Sequence, residues 1–319
     1  MHDAKLNTFQ IYFSDHEGFR FGLDDMNITV AGVTYDLSVA LGDGQSPTDG
    51  SGKWLTQTEM DEIIAYAYAY DIEVIPAFDM PGHFGAIRAK FPDLKYQETT
   101  KHGRAFMVEI LKKYARYFAE KGCRYYNICG DETGISSKVY EQFMSDALYE
   151  ISKLNMTPLF YNDTVCKDGY LAPFINNGGI VLGWIRRETQ AKYSMIDRCG
   201  YRMINAASNN YHYWILNENA KPANLPELIR NTDIFLMADG SKMYNIVGSM
   251  YHIWCDLANL HGADDGNRVV AETADCIAAF GEAVNRAVPG DNLCVINSPD
   301  GSAFRLDVSN DGTLTATKI

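Results

Sequence analysis

Residues 72–83 read Ile72-Glu73-Val74-Ile75-Pro76-Ala77-Phe78-Asp79-Met80-Pro81-Gly82-His83, an almost unbroken apolar run that stops abruptly at an acid. Such a run lacks the alternation of a half-buried strand, so it predicts a strand covered on both faces, as in a parallel sheet. The residues before it supply the covering helix. Thr56 with Glu59 three positions later forms a capping box, and Met60, Ile63, Ile64 and Ala67 follow at the spacing of one buried helical face.

The same alternation extends in both directions. Phe9–Phe13 predicts an earlier strand ending at Ser14-Asp15, and residues 24–54 predict a polar excursion with a small hairpin around Ile28–Val33 and Tyr35–Leu37. Downstream, a helix near 103–121 leads to a strand at Arg124–Cys129, and a helix over 137–154 leads to a strand at Thr157–Tyr161. Strands at Gly179–Gly183, Arg202–Ala206 and Ile246–Ile253 follow, with an aromatic loop at Tyr211–Trp214 and a long helix near 264–286. No GxGxxG marks a strand-to-helix turn, which argues against a doubly wound nucleotide-binding sheet. The expected fold is α/β, a (β/α)8 TIM barrel over residues 1–288. Residues 289–319, whose apolar runs are separated by Pro299-Asp300-Gly301 and Asn310-Asp311-Gly312, are expected to form a short C-terminal β extension. Seven strands are counted where such a barrel needs eight.

Composition narrows the function. The chain has 319 residues, and 28 Lys plus Arg against 41 Asp plus Glu give a formal charge of −13. A net acidic surface repels phosphate backbones and anionic lipid, so neither nucleic acid nor a membrane is an expected partner. No run of about 18 apolar residues offers a membrane span. The N-terminus, Met1-His2-Asp3-Ala4-Lys5, does not read as a signal peptide. Seven cysteines with no CxxC pair predict mostly buried free thiols rather than a disulfide scaffold or a structural zinc site. No cofactor is expected, and oligomeric state and localisation are not read from the chain.

In a (β/α)8 barrel the active site lies at the C-terminal ends of the strands. Those ends offer Asp15, Asp79 with His83, Asp131 with Glu132, Asn162 with Asp163, Trp184, the Tyr211/Tyr213 segment, and Trp254 with Asp256. Carboxylates and large aromatics on one rim suit a carbohydrate, whose faces stack on rings and whose hydroxyls bind acids. Neighbouring strand residues point to opposite faces, so Asp131 and Glu132 reach one ligand only if the chain turns after the strand, which Gly130 permits. Taken alone, the pair serves equally as the cap and first-turn acid of the next helix. His83 alone reads more readily as a hydrogen-bonded structural residue than as a catalyst, while Trp184 and Trp254, at strand ends, read as stacking platforms somewhat more readily than as barrel core. A metal site would group His83, Asp79, Asp131 and Glu132, but no HxH or HExxH spacing supports one, and none is expected.

Taken together, FSDHEGFRFGLDDM (Phe13–Met26), the segment Trp54–Ile87 containing IEVIPAFDMPGH (Ile72–His83), and Gly130-Asp131-Glu132 resemble the catalytic domain of glycoside hydrolase family 20. The resemblance runs from about Leu6 to about Asn285. The family's members are β-N-acetylhexosaminidases and lacto-N-biosidases, and the resemblance implies retention through the substrate's own 2-acetamido oxygen. By position it makes Glu132 the general acid and base, and Asp131 the group that holds the acetamide N–H beside an oxazolinium intermediate. Tyr213, with Tyr211 next, would bind the acetamide oxygen. Asp15 and His83 would form a relay behind Glu132, Trp184 and Trp254 would wall the acetamide pocket, and Asp256 would bind a sugar hydroxyl.

Three departures qualify the resemblance. Gln10-Ile11-Tyr12 replaces an HWH-like run, and Ala77 replaces a Glu. SMYHIWCD (Ser249–Asp256) and NNYHYWIL (Asn209–Leu216) look more like the lacto-N-biosidase and large cell-surface branch. The family's first strand, carrying an arginine for the terminal sugar's hydroxyls, is expected to be missing. The expectation is therefore an exo-acting hydrolase of N-acetylhexosamine-containing glycans. The competing expectations are a glycan-binding relative without turnover and a metal-dependent hydrolase on the same fold.

Overall fold

Seven strands line up in parallel in the computed structural model: β1 (Thr8–Ser14), β2 (Glu73–Phe78), β3 (Tyr125–Cys129), β4 (Thr157–Tyr161), β5 (Ile180–Gly183), β6 (Arg202–Asn205) and β7 (Ile246–Ser249). Each pairs with its predecessor in the chain, and short antiparallel strands at Gly18–Phe19 and Gly42–Asp43 extend the β1 edge. The structure describes residues 1–16, 18–43, 54–94, 100–133, 137–165, 178–185, 192–207, 213–217, 224–243, 246–257, 265–287, 294–297, 302–308 and 313–318. Among these, no pairing joins β7 back to β1.

The continuous apolar runs have two faces with different tasks. Val74 and Phe78 of β2, Tyr126 and Ile128 of β3, and Phe160 of β4 pack outward into the main core. Ile75 and Ala77, Cys129, Leu159 and Tyr161, and Ile180 and Leu182 fill the inside of the sheet with Tyr12, Trp184 and Met250 packed against them. Both sets are buried because helices cover the outside while the sheet curls over the inside, which is why the runs do not alternate.

The helices follow from local signals. The Thr56–Glu59 box caps α1 (Gln57–Tyr68): the Thr56 hydroxyl accepts the Glu59 N–H at 3.3 Å and Glu59 accepts the Thr56 N–H at 2.7 Å. A cap of this kind contributes about 1 kcal/mol. Thr100 caps α2 (Lys101–Glu120), which buries Phe106, Ile110, Tyr114 and Phe118 in the main core; the Phe78 and Tyr114 rings lie 4.3 Å apart. Helices α3 (Ser137–Ser152) and α4 (Asp265–Ala287) complete the set of long helices among the described residues.

Two expectations are corrected. Ile246–Ile253 is not one strand. The pairing of β7 with β6 stops at Ser249, where the Ser249 hydroxyl and the Met250 N–H both donate to the Asn205 carbonyl, and a separate strand, His252–Leu257, begins beyond it. The aromatic segment around Tyr213 is not a loop throughout, because Tyr213–Asn217 pairs in parallel with His252–Leu257. The expected hairpin is present as Asn27–Val30 against Val33–Asp36. The C-terminal extension is an antiparallel sheet of Cys294–Asn297, Ala303–Val308 and Leu314–Lys318. Cys123, Cys129 and Cys276 are buried free thiols and Cys199 is an exposed one.

Candidate active site

The parallel register places the ends of β1 to β5 side by side, so Asp15, Asp79, the Gly130–Glu132 turn, Asn162-Asp163 and Trp184 share one rim. The turn after β3 is the decisive local feature. Cys129, Gly130 and Glu132 all adopt left-handed backbone, with φ of 61°, 72° and 47°. Three such residues in four break the strand's alternation, so both acids can serve one pocket. The turn is held from two sides. The Tyr140 hydroxyl donates to the Gly130 carbonyl at 3.2 Å, and a Cβ on Gly82 would sit 2.2 Å from the Asp131 carbonyl oxygen. Glycine at position 82 therefore lets the Pro81-Gly82-His83 loop press directly on Asp131.

Asp131 and Glu132 then differ sharply in surroundings. Asp131 is 9% exposed, and its Oδ1 is buried with no hydrogen-bond partner. The Glu132 side chain is 47% exposed, with Oε2 at 3.4 Å from His83 Nε2. On its other side, His83 Nδ1 lies 2.9 Å from Asp15 Oδ1. Burial alone would depress the imidazole. The Asp15 hydrogen bond and the charges of Asp131, Asp15 and Glu132 outweigh it and raise the His83 pKa to about 9. For Asp15, burial pushes upward, but the bond and charge of His83 and the His16 N–H hold the carboxyl below its ordinary range. His83, with φ of 38°, is thus a cation held between two carboxylates.

Behind Asp131 lies Asp79, which is fully buried. Its Oδ1 accepts the Gly130 N–H at 3.1 Å, its Oδ2 accepts the Tyr12 hydroxyl at 2.9 Å, and its carboxyl is hydrogen-bonded to that of Asp131. Burial first, then the charge and hydrogen bond of Asp131, push the Asp79 pKa well above the usual carboxylate range. Asp79 therefore holds a proton more tightly than an ordinary carboxyl does.

A third acid supports the rim from the β4 end. Asp163 accepts the Glu132 N–H at 2.7 Å through Oδ2 and the Trp184 indole N–H at 3.1 Å through Oδ1. Burial and then the Asp131 charge raise its pKa to about 6 despite those donors. Asn162 steadies the next strand end, its Oδ1 accepting the Trp184 N–H at 3.0 Å. Across the site the Trp254 ring meets Tyr12 edge-on at 4.9 Å and stacks at 5.9 Å on His252, which bonds the Tyr161 hydroxyl at 3.0 Å.

Of the residues expected from the sequence, Asp131, Glu132, His83 and Asp15 converge, with Trp184 and Trp254 on the same rim. Tyr211 lies outside the described residues. Tyr213 and Asp256 are described only through their backbones, on the paired strands Tyr213–Asn217 and His252–Leu257, and their side chains lie outside the described residues. Asp79 and Asp163 were visible only as strand-end acids without a role, and Tyr12 only as a departure from a family pattern. Asp79, His83 and Asp131 each offer one ligand atom within 4.8 Å of the others. A cation there would have to displace the protons that the site favours on Asp79 and His83, so the donor set suits a metal ion poorly.

Residues 1–134 match the family described as glycosyl hydrolase family 20, catalytic domain. A β-hexosaminidase of Vibrio vulnificus is 30% identical over 164 residues, which is 47% of this chain and 19% of that protein; the chain thus spans about a fifth of that curated relative's length. Among solved structures, one of the tandem catalytic modules of the pneumococcal exo-β-D-N-acetylglucosaminidase StrH superposes with a TM-score of 0.74 at 21% identity, covering 88% of this chain and 77% of that one. Dispersin B superposes with a TM-score of 0.68 at 20% identity, covering 89% and 92%. Residues 1–134 are thus similar in sequence to glycosyl hydrolase family 20 catalytic domains, and the chain shares the fold of these two solved structures.

Proposed function

We propose that the chain is an exo-acting, retaining glycoside hydrolase that removes terminal β-linked N-acetylhexosamine, GlcNAc or GalNAc, by substrate-assisted catalysis. The observation that carries this reading is the pairing, on one turn, of the nearly buried Asp131 with the half-exposed side chain of the adjacent Glu132. A carboxyl in a nearly dry site binds a donor more strongly than one in water, and an acetamide N–H is a donor of the right kind. Asp131 then orients the acetamide and stabilises the positive charge that develops as its oxygen attacks the anomeric carbon. Glu132 protonates the departing glycosidic oxygen and afterwards takes a proton from water. His83 stores the proton that Glu132 delivers, and Asp15 keeps His83 protonated. Tyr213 binds the acetamide oxygen, Trp184 and Trp254 wall the acetamide pocket, and Asp256 binds a sugar hydroxyl.

The name of the Vibrio vulnificus relative favours a single hexosamine as the released sugar, with lacto-N-biose as the second candidate. The catalytic unit is residues 1–288, with 289–319 as a separate extension. The test is a panel of chromogenic GlcNAc, GalNAc and lacto-N-biose β-glycosides with an N-acetylglucosamine-thiazoline control. Cleavage of one glycoside together with thiazoline inhibition supports the reading. Binding of a glycoside without cleavage would instead favour a glycan-binding relative, a reading favoured by the absence, among the described residues, of a strand joining β7 to β1.

A further inference from the structure

Beneath the rim, hydrogen bonds lead from β1 to Asp131 through residues that the proposed chemistry leaves unused. Tyr12 lies on β1 with its hydroxyl on Asp79 Oδ2 and its ring against the edge of Trp254. Asp79, on the loop after β2, spends Oδ1 on the Gly130 N–H and meets Asp131 with its carboxyl. Two residues earlier on β1, Gln10 accepts from the Asn127 side-chain amide at 2.9 Å, and Asn127 Oδ1 accepts the Cys129 N–H at 2.8 Å. The first strand is therefore tied to the turn that carries Asp131 and Glu132 at two successive inward positions. Only the Tyr12 tie reaches a reacting group.

We infer that Tyr12 is a positioning residue: through Asp79 it fixes which oxygen of Asp131 is left for the substrate's acetamide N–H, and through its ring it fixes Trp254 beside that group. The inference rests on the proposed family 20 chemistry. A buried carboxyl with both oxygens engaged cannot rotate without breaking a bond in a low-dielectric site, so its contact with Asp131 has one geometry. Without the Tyr12 hydroxyl, Asp79 can turn and offer Asp131 more than one arrangement. Misplaced by a fraction of an ångström, Asp131 would still bind substrate but would stabilise the transition state less well.

The experiment uses the whole chain. Wild type, Tyr12→Phe, Asp131→Asn and the double variant are assayed on 4-nitrophenyl N-acetyl-β-D-glucosaminide, with near-ultraviolet circular dichroism to confirm native packing. Tyr12→Phe keeps the ring and its contact with Trp254, so it is expected to lower kcat about tenfold while KM changes less than about twofold. Asp131→Asn is expected to cost much less in the Tyr12→Phe background than in wild type, because the two act as one unit. An unchanged kcat in Tyr12→Phe, or fully additive losses, would overturn the inference. Failure of wild type to cleave any glycoside sinks the functional reading instead, and urea unfolding between about pH 4 and about pH 8 then decides the inference. Tyr12 is, with the Gly130 N–H, one of two donors that ease ionisation of Asp79, so stability should fall with rising pH more steeply in Tyr12→Phe than in wild type, and should be flatter in Asp79→Asn. Equal slopes for wild type and Tyr12→Phe would overturn it.

Discussion

The Nε2 of His83 lies 3.4 Å from Oε2 of Glu132, and the imidazole, anchored through Nδ1 to Asp15, is held protonated up to about pH 9. An exposed carboxylate beside an imidazolium is a poor acid unless the imidazolium lends it a proton. The pair therefore holds one transferable proton at neutral pH, and Glu132 is the member that reaches the mouth of the site.

Loss of that acid depends on the leaving group. Glu132→Gln keeps shape and hydrogen bonding but delivers no proton, so kcat/KM for a glycoside with an alcohol leaving group should fall about 10²–10⁴-fold. For 4-nitrophenol, which departs without protonation, kcat/KM should fall much less. Equal losses on the two substrates would remove Glu132 from the role of acid.

On the proposed chemistry, the alkaline limit of activity is expected to follow His83. Its pKa is raised from 6.5 to about 9, so its stabilising ion pairs are fully present below about pH 6.5 and fade as pH rises toward 9. Turnover and unfolding free energy should decline together over that window. Asp15→Asn removes the leading cause of the raised value and should move the alkaline limb down by about one pH unit or more. A limb that stays in place in Asp15→Asn argues that another group sets it.

Much of this arrangement is legible in the chain. The Thr56–Glu59 box, the two-sided burial of residues 72–78 and the glycine before Asp131-Glu132 are local signals, and local physics decided each of them. What escaped the sequence depends on distant partners. The Asp79 pKa is raised because the carboxyl is buried and meets Asp131, against the pull of a hydroxyl donated by a tyrosine 67 residues earlier, and no spacing rule encodes that meeting. Asp163 stands in the chain only as a strand-end acid, and only the fold delivers the Glu132 N–H and the Trp184 indole to its two oxygens. Tyr213 and Trp214, within the expected loop Tyr211–Trp214, begin the strand Tyr213–Asn217 because its strand character comes from pairing with His252–Leu257 rather than from its own pattern.

Asp163 supports two rim residues at once, and its removal should reach both. Asp163→Ala takes the acceptor from the partly buried Glu132 N–H and Trp184 indole, at about 1 kcal/mol for each hydrogen bond lost. Urea unfolding should show the loss, and Trp fluorescence should shift. Asp163→Asn separates charge from shape. Because the folded pKa is raised from 3.8 to about 6, the wild type loses stability as pH rises through that interval, and the Asn variant should not. An unchanged pH slope in Asp163→Asn would show that Asp163 does not titrate as assigned.

The contact between the two catalytic loops is steric, which makes Gly82 a sensitive position. A Cβ at residue 82 would lie 2.2 Å from the Asp131 backbone oxygen, far inside van der Waals contact, and backbone on one side of the clash leaves no flexible side chain to yield. In Gly82→Ala the Pro81-Gly82-His83 loop and the Gly130–Glu132 turn must move apart by about 1 Å or more, which stretches the His83–Glu132 contact and the hydrogen bond from Gly130 to Asp79. Overpacking of this kind costs about 1–3 kcal/mol, and a displacement of about 1 Å at the reacting groups costs about a hundredfold in rate. Gly82→Ala should therefore lose activity out of proportion to stability and lower the pH of the alkaline limb as His83 loses its second carboxylate. A variant with wild-type kcat and an unmoved limb would show that the loops tolerate the methyl group and that their close contact does not set the geometry of the site.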